Sequence, residues 1–479
     1  MTPNFPVATE SAPRALCVDL DGTLLDSDLL YESVLALLAR NPLYLFLLPF
    51  WLMRGKAALK RELATRVRIS AETLPYNKQV LDLLRTTTQR PRVLCSASDR
   101  LLVQPIAEHL GVFEQVIASD GQRNIAGRTK AATLVKAFGD RGFDYLGNDN
   151  VDLAVWKHAH KGWVVNNGTR LARLASQQTS VHAHWPAPSR LLPWLKALRL
   201  HQWLKNLLVF VPLLAAHRFL EPDAVLLSLQ AFVAFGLSAS GVYILNDLLD
   251  LAPDRLHPRK RERPFAAGRI PLLHGLAVAP LLTLAGLVVA WFCSPSFALV
   301  LLAYYAMTLS YSLKLKRIVM IDVVLLAGLY TARIIGGAVV ISADLSFWLL
   351  AFSMFIFLSL AFLKRYTELQ SASALGKSQA SGRGYSVDDL PLLQSLGTAS
   401  GYIAVMVMAL YINSPESVDL YRHPQVLWLI CPILLYWMSR MWVIAHRGGM
   451  HDDPVVFAAT DRVSQLVIAL AGICALAAI

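Results

Sequence analysis

The sequence predicts two architectures on one chain: an α/β half with a helical insertion at the N-terminus, then an all-α polytopic membrane half of about nine transmembrane helices. Three observations predict this. The chain is 55 % hydrophobic and only 16 % charged, too apolar for an ordinary soluble enzyme of 479 residues. The apolar excess is uneven: residues 1–190 mix polar and apolar segments, whereas 191–479 are largely long apolar runs. Basic residues, finally, fall in alternate loops of the second half. The domains expected are 1–180, a linker at 181–192 near Pro186, and 193–479, with the insertion at about 26–90.

The first fifteen residues, MTPNFPVATESAPRA, lack an apolar core flanked by basic residues, so no cleavable signal is expected and the first half should stay in the cytosol. In the α/β half, ALCVDLDGTLL reads as a strand running into Asp19 and Asp21. Two aspartates two apart at a strand end project to one side, so one can attack phosphorus while the other protonates the leaving oxygen. Gly22 lets the chain turn sharply beside a metal. A second strand, RVLCSAS, places the Ser96 hydroxyl where it can hydrogen-bond a phosphoryl group, and Lys130 offers a cation. A third strand, FDYLGNDNVD, ends in Asn148, Asp149 and Asp152. Singly, Ser96 or Lys130 reads more often as a turn or surface residue.

Together these motifs resemble the haloacid dehalogenase superfamily, with its DxDGT, its Ser or Thr after a strand, its Lys and its GDxxxD, over about residues 14–170. The resemblance implies a Rossmann-like α/β fold with a helical cap, a phosphatase activity, Asp19 as nucleophile and Asp21 as general acid/base. It also implies Mg²⁺ held by Asp19, Asp21 and the Asn148, Asp149, Asp152 motif. Asn148 stands where that family carries Asp, and an amide oxygen brings no charge to the metal; a phosphatase domain reduced to a scaffold is the alternative. Within the insertion, NPLYLFLLPFWLM at 41–53 is too short to span a bilayer but apolar enough to dip into its interface, with Arg54, Lys56, Lys60 and Arg61 following. The plain alternative is the core of a helical cap.

Membrane spans are expected at 193–216, 223–247, 270–292, 296–312, 319–341, 345–363, 396–415, 425–445 and 463–479. The net charge of +12 reads as topology, and nucleic acid is not expected as a partner. One set of loops carries Arg255 to Arg269, Lys314 to Arg317, Lys364, Arg365, Lys377, Arg383, Arg440, Arg447 and Arg462, and the other set carries Arg218 and Arg422. That asymmetry predicts a multi-pass protein of the cytoplasmic membrane with the basic loops and the N-terminal half on the cytoplasmic side. The five cysteines lack metal-type spacing and read as small core residues.

The second span ends in Asn246, Asp247, Asp250 and Asp254, followed by Arg255, Lys260, Arg261 and Arg263. Carboxylates at steps of three and four share one helix face, as hard ligands for Mg²⁺ should, and the adjacent cations suit a diphosphate. The plain alternative is a solvated loop whose charges fix topology. Residues 246–254 match the NDxxDxxxD signature of the UbiA superfamily of intramembrane prenyltransferases, which the chain resembles over roughly 190–479. The resemblance implies a nine-helix fold and a Mg²⁺-bound diphosphate. The second DxxxD of that superfamily is missing; HQWLKN, HPRKRERP, KRYTEL and DDPVVFAATDR stand instead. These are similar to the decaprenyl-phosphate phosphoribosyltransferase branch, implying phosphoribosyl pyrophosphate as donor and a polyprenyl phosphate as acceptor. A donor with a separate 5-phosphate needs extra cations, for which Lys260, Arg261, Arg263, Lys364 and Arg365 are candidates, with Lys205 a further candidate at the cytosolic boundary. Arg333, inside an apolar span, is read either as an acceptor-phosphate ligand or as a structural residue. Transfer of 5-phosphoribose followed by dephosphorylation is the expected function. The alternatives are a conventional prenyltransferase using a prenyl diphosphate, with an unrelated or inactive phosphatase half, and a lipid carrier. Either a monomer or a homo-oligomer is compatible with the sequence.

Overall fold

The computed structural model describes residues 13–376, 378, 384–450 and 453–479. Lys377, Arg383 and Asp452, and most of the stretch read as lacking a signal, lie outside the described residues. The chain forms two compact units: residues 1–198 with 244–278, and 199–243 with 279–479.

The first unit is built on six parallel strands, β1 (Ala15–Asp19), β2 (Arg92–Asp99), β3 (Gln115–Ser119), β4 (Phe143–Gly147), β5 (Lys161–Asn167) and β6 (Ser180–Pro186), in the order β3-β2-β1-β4-β5-β6. Side chains alternate across the pleat, so Leu16 and Val18 join one apolar cluster and Ala15 and Cys17 join the other. Both faces of the sheet are therefore buried, as parallel sheets require. The order reverses between β1 and β4, which opens a crevice beyond their carboxyl ends, the place where such sheets bind ligands.

Helices Leu29–Arg40, Leu48–Met53, Lys56–Arg66 and Lys78–Thr86 fill the connection from β1 to β2. Asp28 caps the first of these, its side chain accepting from the N–H of Leu30. Residues 42–53 do not form a packed core: Leu43, Leu45, Phe46, Leu47, Phe50, Leu52 and Met53 are exposed, and Trp51 alone of this stretch is buried.

In the second unit and the helices that continue from it, seven helices among the described residues are long and apolar enough to cross a membrane: Pro222–Leu249, Leu272–Cys293, Pro295–Leu313, Ile321–Val340, Phe347–Ala374, Val387–Ile412 and Pro424–His446. An eighth arises if Pro454–Thr460 and Arg462–Ala478, bent by 79°, count as one span. The molecule is a multi-pass membrane protein. Close packing uses missing side chains: a Cβ on Gly337 would lie 2.1 Å from the carbonyl oxygen of Val209, and one on Gly397 would lie 2.2 Å from the Trp442 ring.

The expected fold class is corrected in two respects. The first of the nine spans, 193–216, is not a membrane helix. It consists of a short helix, Leu191–Leu198, a 3₁₀ stretch, Leu200–Phe210, and another short helix, Val211–Ala215. Arg199 between the first two is left-handed at φ 50° and ψ 47°, a conformation no continuing helix adopts. The haloacid dehalogenase fold is likewise corrected to the coarser description, a six-stranded parallel Rossmann-like sheet with helices. Such sheets host many unrelated activities, and a short Asp-rich turn after the first strand does not select among them.

Candidate functional site

In the first unit, Asp19 ends β1 and Asp21 follows it, directly at the crevice. Lys130, on helix Arg128–Phe138, donates to Asp19 Oδ1 at 2.6 Å and to the Tyr145 hydroxyl at 3.1 Å. Tyr145 donates in turn to Asp152 Oδ1 at 2.8 Å, while Asp152 Oδ2 accepts the backbone N–H groups of Asn148 and Asp149. Burial lifts Asp19 to about 7 against the pull of the Lys130 ammonium, with Asp152 and Asp21 adding to the rise. Asp21 Oδ2 accepts from Ser98 Oγ at 2.8 Å and Ser96 Oγ at 3.2 Å, and its Oδ1 accepts the N–H of Leu29.

The sequence thus places Asp19, Asp21, Ser96 and Lys130 in one cluster, but three of the expected metal ligands sit differently. Asp152 directs both oxygens to protein donors. Asp149 is exposed and caps the turn Asn150–Asp152. The Asn148 amide oxygen accepts from Thr23 Oγ1, and its side chain lies where a Cβ on Gly22 (φ 76°) would clash at 2.1 Å. Among the described residues no three His, Cys, Asp or Glu side chains form a ready metal cage. This donor set does not fit a preformed cation site.

Sequence reasoning missed Tyr145 and Lys60. Lys60 Nζ donates to the Ala97 carbonyl at 2.6 Å and to Asn124 Oδ1 at 3.2 Å. A lysine one helical turn past an apolar run gives no signal of its own.

The aspartate-rich segment also belongs to the first unit. The helix breaks at Asp250, yet the N–H of Asp250 donates to the Asn246 carbonyl and that of Asp254 to the Asp250 carbonyl, both at 2.9 Å, so helical spacing carries through the joint. Asp247 and Asp254 are buried, and Arg263 Nη1 donates to both, at 3.2 Å and 2.6 Å. Burial raises the Asp254 carboxyl above its ordinary value while Arg263 opposes the rise. Two carboxylates converging on one cationic nitrogen form a hard oxygen pair of the kind a divalent ion takes, with no third His, Cys, Asp or Glu side chain completing a cage among the described residues. Lys260 and Arg261 are exposed beside it. Arg255 is turned away into a buried pair with Glu32.

In the second unit, Lys205 and Lys364 both donate to Asp453, the latter at 3.3 Å. Although burial pushes the Asp453 carboxyl up, the Lys364 and Lys205 ammonium groups hold it well below the usual carboxylate range. Asp453 also caps helix Pro454–Thr460, a role readable from its Asp-Pro sequence, whereas its pairing was not. Arg333 donates to Asn206 Oδ1 at 2.8 Å and to the Tyr304 hydroxyl at 2.7 Å, and Asn206 Nδ2 is buried with no hydrogen-bond partner among the described residues. Arg365, a candidate for substrate phosphate, is buried and bonded to Asp322, Glu368 and Tyr311.

The model of the UbiA prenyltransferase family matches residues 207–458, more than half of the chain. The chain belongs to the UbiA prenyltransferase family. This membership covers neither the strands nor the Asp19 cluster, which is why the haloacid dehalogenase fold is not retained. One relative, the uncharacterized protein y4nM of Sinorhizobium fredii, is 37 % identical over 461 residues, 95 % of this chain and 89 % of that one. A second relative, the decaprenyl-phosphate phosphoribosyltransferase of Mycolicibacterium smegmatis, is 32 % identical over 279 residues, 57 % of this chain and 88 % of that one. Among solved structures, a UbiA homolog from Archaeoglobus fulgidus bound to GPP and Mg²⁺ aligns with a TM-score of 0.47 at 16 % identity, covering 59 % of this chain and 99 % of that one.

Proposed function

We propose that this UbiA-family transferase moves 5-phosphoribose from phosphoribosyl pyrophosphate to a polyprenyl phosphate, and that the Asp19 cluster then removes the 5-phosphate from the product. The observation that carries the first step is the convergence of Asp247 and Asp254 on one nitrogen of Arg263, beside Lys260 and Arg261. Support for this donor over a prenyl diphosphate comes from the likeness to the mycobacterial phosphoribosyltransferase along most of its length.

Asp247 and Asp254, with Asp250 next to them, would hold Mg²⁺, which when bound offsets the charge of a leaving diphosphate. Arg263, Lys260 and Arg261 take up the remaining phosphate charge. Lys205 and Lys364 supply cations for a phosphate group, and the Asn206 amide supplies a donor. An oxygen of the acceptor phosphate forms the new bond to the anomeric carbon as the bond to diphosphate breaks, and the diphosphate leaves with the electron pair. Arg365 and Asp322 serve the scaffold.

In the second step an Asp19 oxygen attacks phosphorus, the bond to the ribose 5-oxygen breaks, and that oxygen takes a proton from Asp21. Water then cleaves the acyl phosphate and releases inorganic phosphate. Lys130 fixes the rotamer of Asp19 through Oδ1 and meets the phosphoryl charge, and Ser96 and Ser98 orient Asp21.

Mass spectrometry of lipid products from membranes given both substrates tests the sequence of steps. Wild type is expected to yield polyprenyl-phosphate ribose, Asp19→Asn its 5-phosphorylated precursor, and Asp250→Asn neither. A prenylated acceptor formed from prenyl diphosphate in place of these products would overturn the reading.

A further inference from the structure

The segment at 42–53 presents seven large apolar side chains to the outside in eleven residues, with Phe46 70 % and Met53 75 % exposed. It is held from beneath: Trp51 is 7 % exposed, its ring stands 6.1 Å from that of Tyr44, and the Arg66 guanidinium lies 4.8 Å above it. The outer face is therefore a rigid apolar ridge on a surface element that no described residue covers. An apolar patch of this size marks an interaction surface.

The charge around the ridge selects the partner. From Ser33 to Arg61 the sequence holds no Asp or Glu, but it holds Arg40, Arg54, Lys56, Lys60 and Arg61, of which Arg40, Arg54, Lys56 and Arg61 are exposed, Arg61 paired with Asp99 and Arg54 3.7 Å from Glu62. Apolar side chains flanked by exposed cations suit a bilayer interface with anionic headgroups, and the same chain crosses a bilayer.

Helix Lys56–Arg66 starts three residues after the ridge ends, and Lys60, about 6 Å along it, reaches the Ala97 and Asn124 groups that border the Asp21 serines. Asp21 and Asp28 are charge neighbours of Lys60. One short rigid element thus joins the ridge to the wall of the Asp19 site. We propose that Pro42–Met53 docks on an anionic bilayer interface, and that the Asp19 site consequently acts on a phosphomonoester carried by a lipid. The second half of this statement rests on the dephosphorylation described under Proposed function.

The test uses the full chain in nanodiscs containing phosphatidylglycerol. A bimane label on Phe46→Cys is expected to be quenched by lipids bearing a doxyl group on the acyl chain, after subtraction of the equally labelled unsubstituted chain. The same label on Glu108→Cys, an exposed position on helix Arg100–Leu110, is not. The triple variant Leu43→Ser, Phe46→Ser, Phe50→Ser is expected to hydrolyse water-soluble p-nitrophenyl phosphate as wild type does, while losing about tenfold or more on the lipid-borne phosphoribosyl product. No quenching at position 46 overturns the docking, as does crosslinking of Phe46→Cys between two chains without quenching. Equal loss on both substrates overturns the lipid presentation. A wild type inactive on both substrates overturns the dephosphorylation and this use of it, and the quenching then decides docking alone.

Discussion

Arg255 and Glu32, 223 positions apart, meet in a buried two-pronged ion pair, with Nη2 to Oε1 at 2.6 Å and Nη1 to Oε2 at 3.1 Å. Arg255 Nε is bonded to the Ala266 carbonyl, and Glu32 also accepts from Ser27, so both charges are saturated. Breaking such a pair leaves a charge stranded in a poorly solvated place, at a cost of about 3–5 kcal/mol. Glu32→Ala is expected to lower the unfolding midpoint of the detergent-solubilised chain accordingly. Joint replacement, Glu32→Leu with Arg255→Met, should recover most of the loss. Equal midpoints for wild type and Glu32→Ala would show the pair to be idle.

Arg263 occupies the two carboxylates proposed to hold Mg²⁺. Its replacement in Arg263→Gln removes a competitor for the metal and a ligand for the donor at once. The half-saturating Mg²⁺ concentration should fall, while KM for phosphoribosyl pyrophosphate rises about ten- to a hundredfold, the worth of one charge-assisted hydrogen bond. Steady-state titrations in each component separate the two effects. A rise in the Mg²⁺ requirement would refute the competition, and an unchanged KM for phosphoribosyl pyrophosphate would place Arg263 outside the donor site.

Asp19, the nucleophile proposed for the second step, would attack only as the anion. With its carboxyl lifted to about 7, kcat/KM for a water-soluble phosphomonoester should climb with pH through that value instead of near 4. Lys130 is what pulls Asp19 down, so in Lys130→Met the limb should move to higher pH as kcat falls. The effect on stability has the opposite sense: a carboxyl that binds its proton more tightly when folded favours folding at low pH, and this contribution is lost as pH rises through about 7. A limb that stays in place in Lys130→Met would break the assigned contact.

Asp453 is the shared counter-ion of Lys205 and Lys364. Asp453→Asn leaves both ammonium groups without it, and a drop in thermal midpoint of the detergent-solubilised chain is expected, with a loss of transferase activity. Because the carboxyl is held below its ordinary range, the stabilisation it gives is present above about 4 and fades as pH falls through the folded value. An unchanged midpoint in Asp453→Asn at neutral pH contradicts this.

Local pattern carried much of the architecture. The alternation in ALCVD, the Asp-rich turn after it and the long apolar runs follow from the pleat of a strand and the thickness of a bilayer, and each is visible within about twenty residues. The first span failed because Arg199 is left-handed and residues 200–210 tighten into a 3₁₀ stretch, and nothing in the type of Arg199 demands its conformation. The roles of Arg255 and Arg365 were illegible for another reason. Each is decided by an acid far away in sequence, Glu32 and Asp322, and a basic residue near a diphosphate motif reads the same whether it faces substrate or a buried carboxylate. Asp152 shows the reverse case, since its spacing was recognised while both oxygens turned out to serve Tyr145 and the turn.

The grouping of residues 244–278 with the first 198 has a consequence for how the protein can be taken apart. Helix Pro222–Leu249 begins in one compact unit and ends in the other, so no single cut separates them. A fragment ending near residue 190 would keep Glu32 and lose Arg255, and would bare Asp26, against which Gly268 packs. Shuffling the α/β half onto another membrane partner therefore requires carrying over a matching loop, which ties the inheritance of the two parts of the chain together.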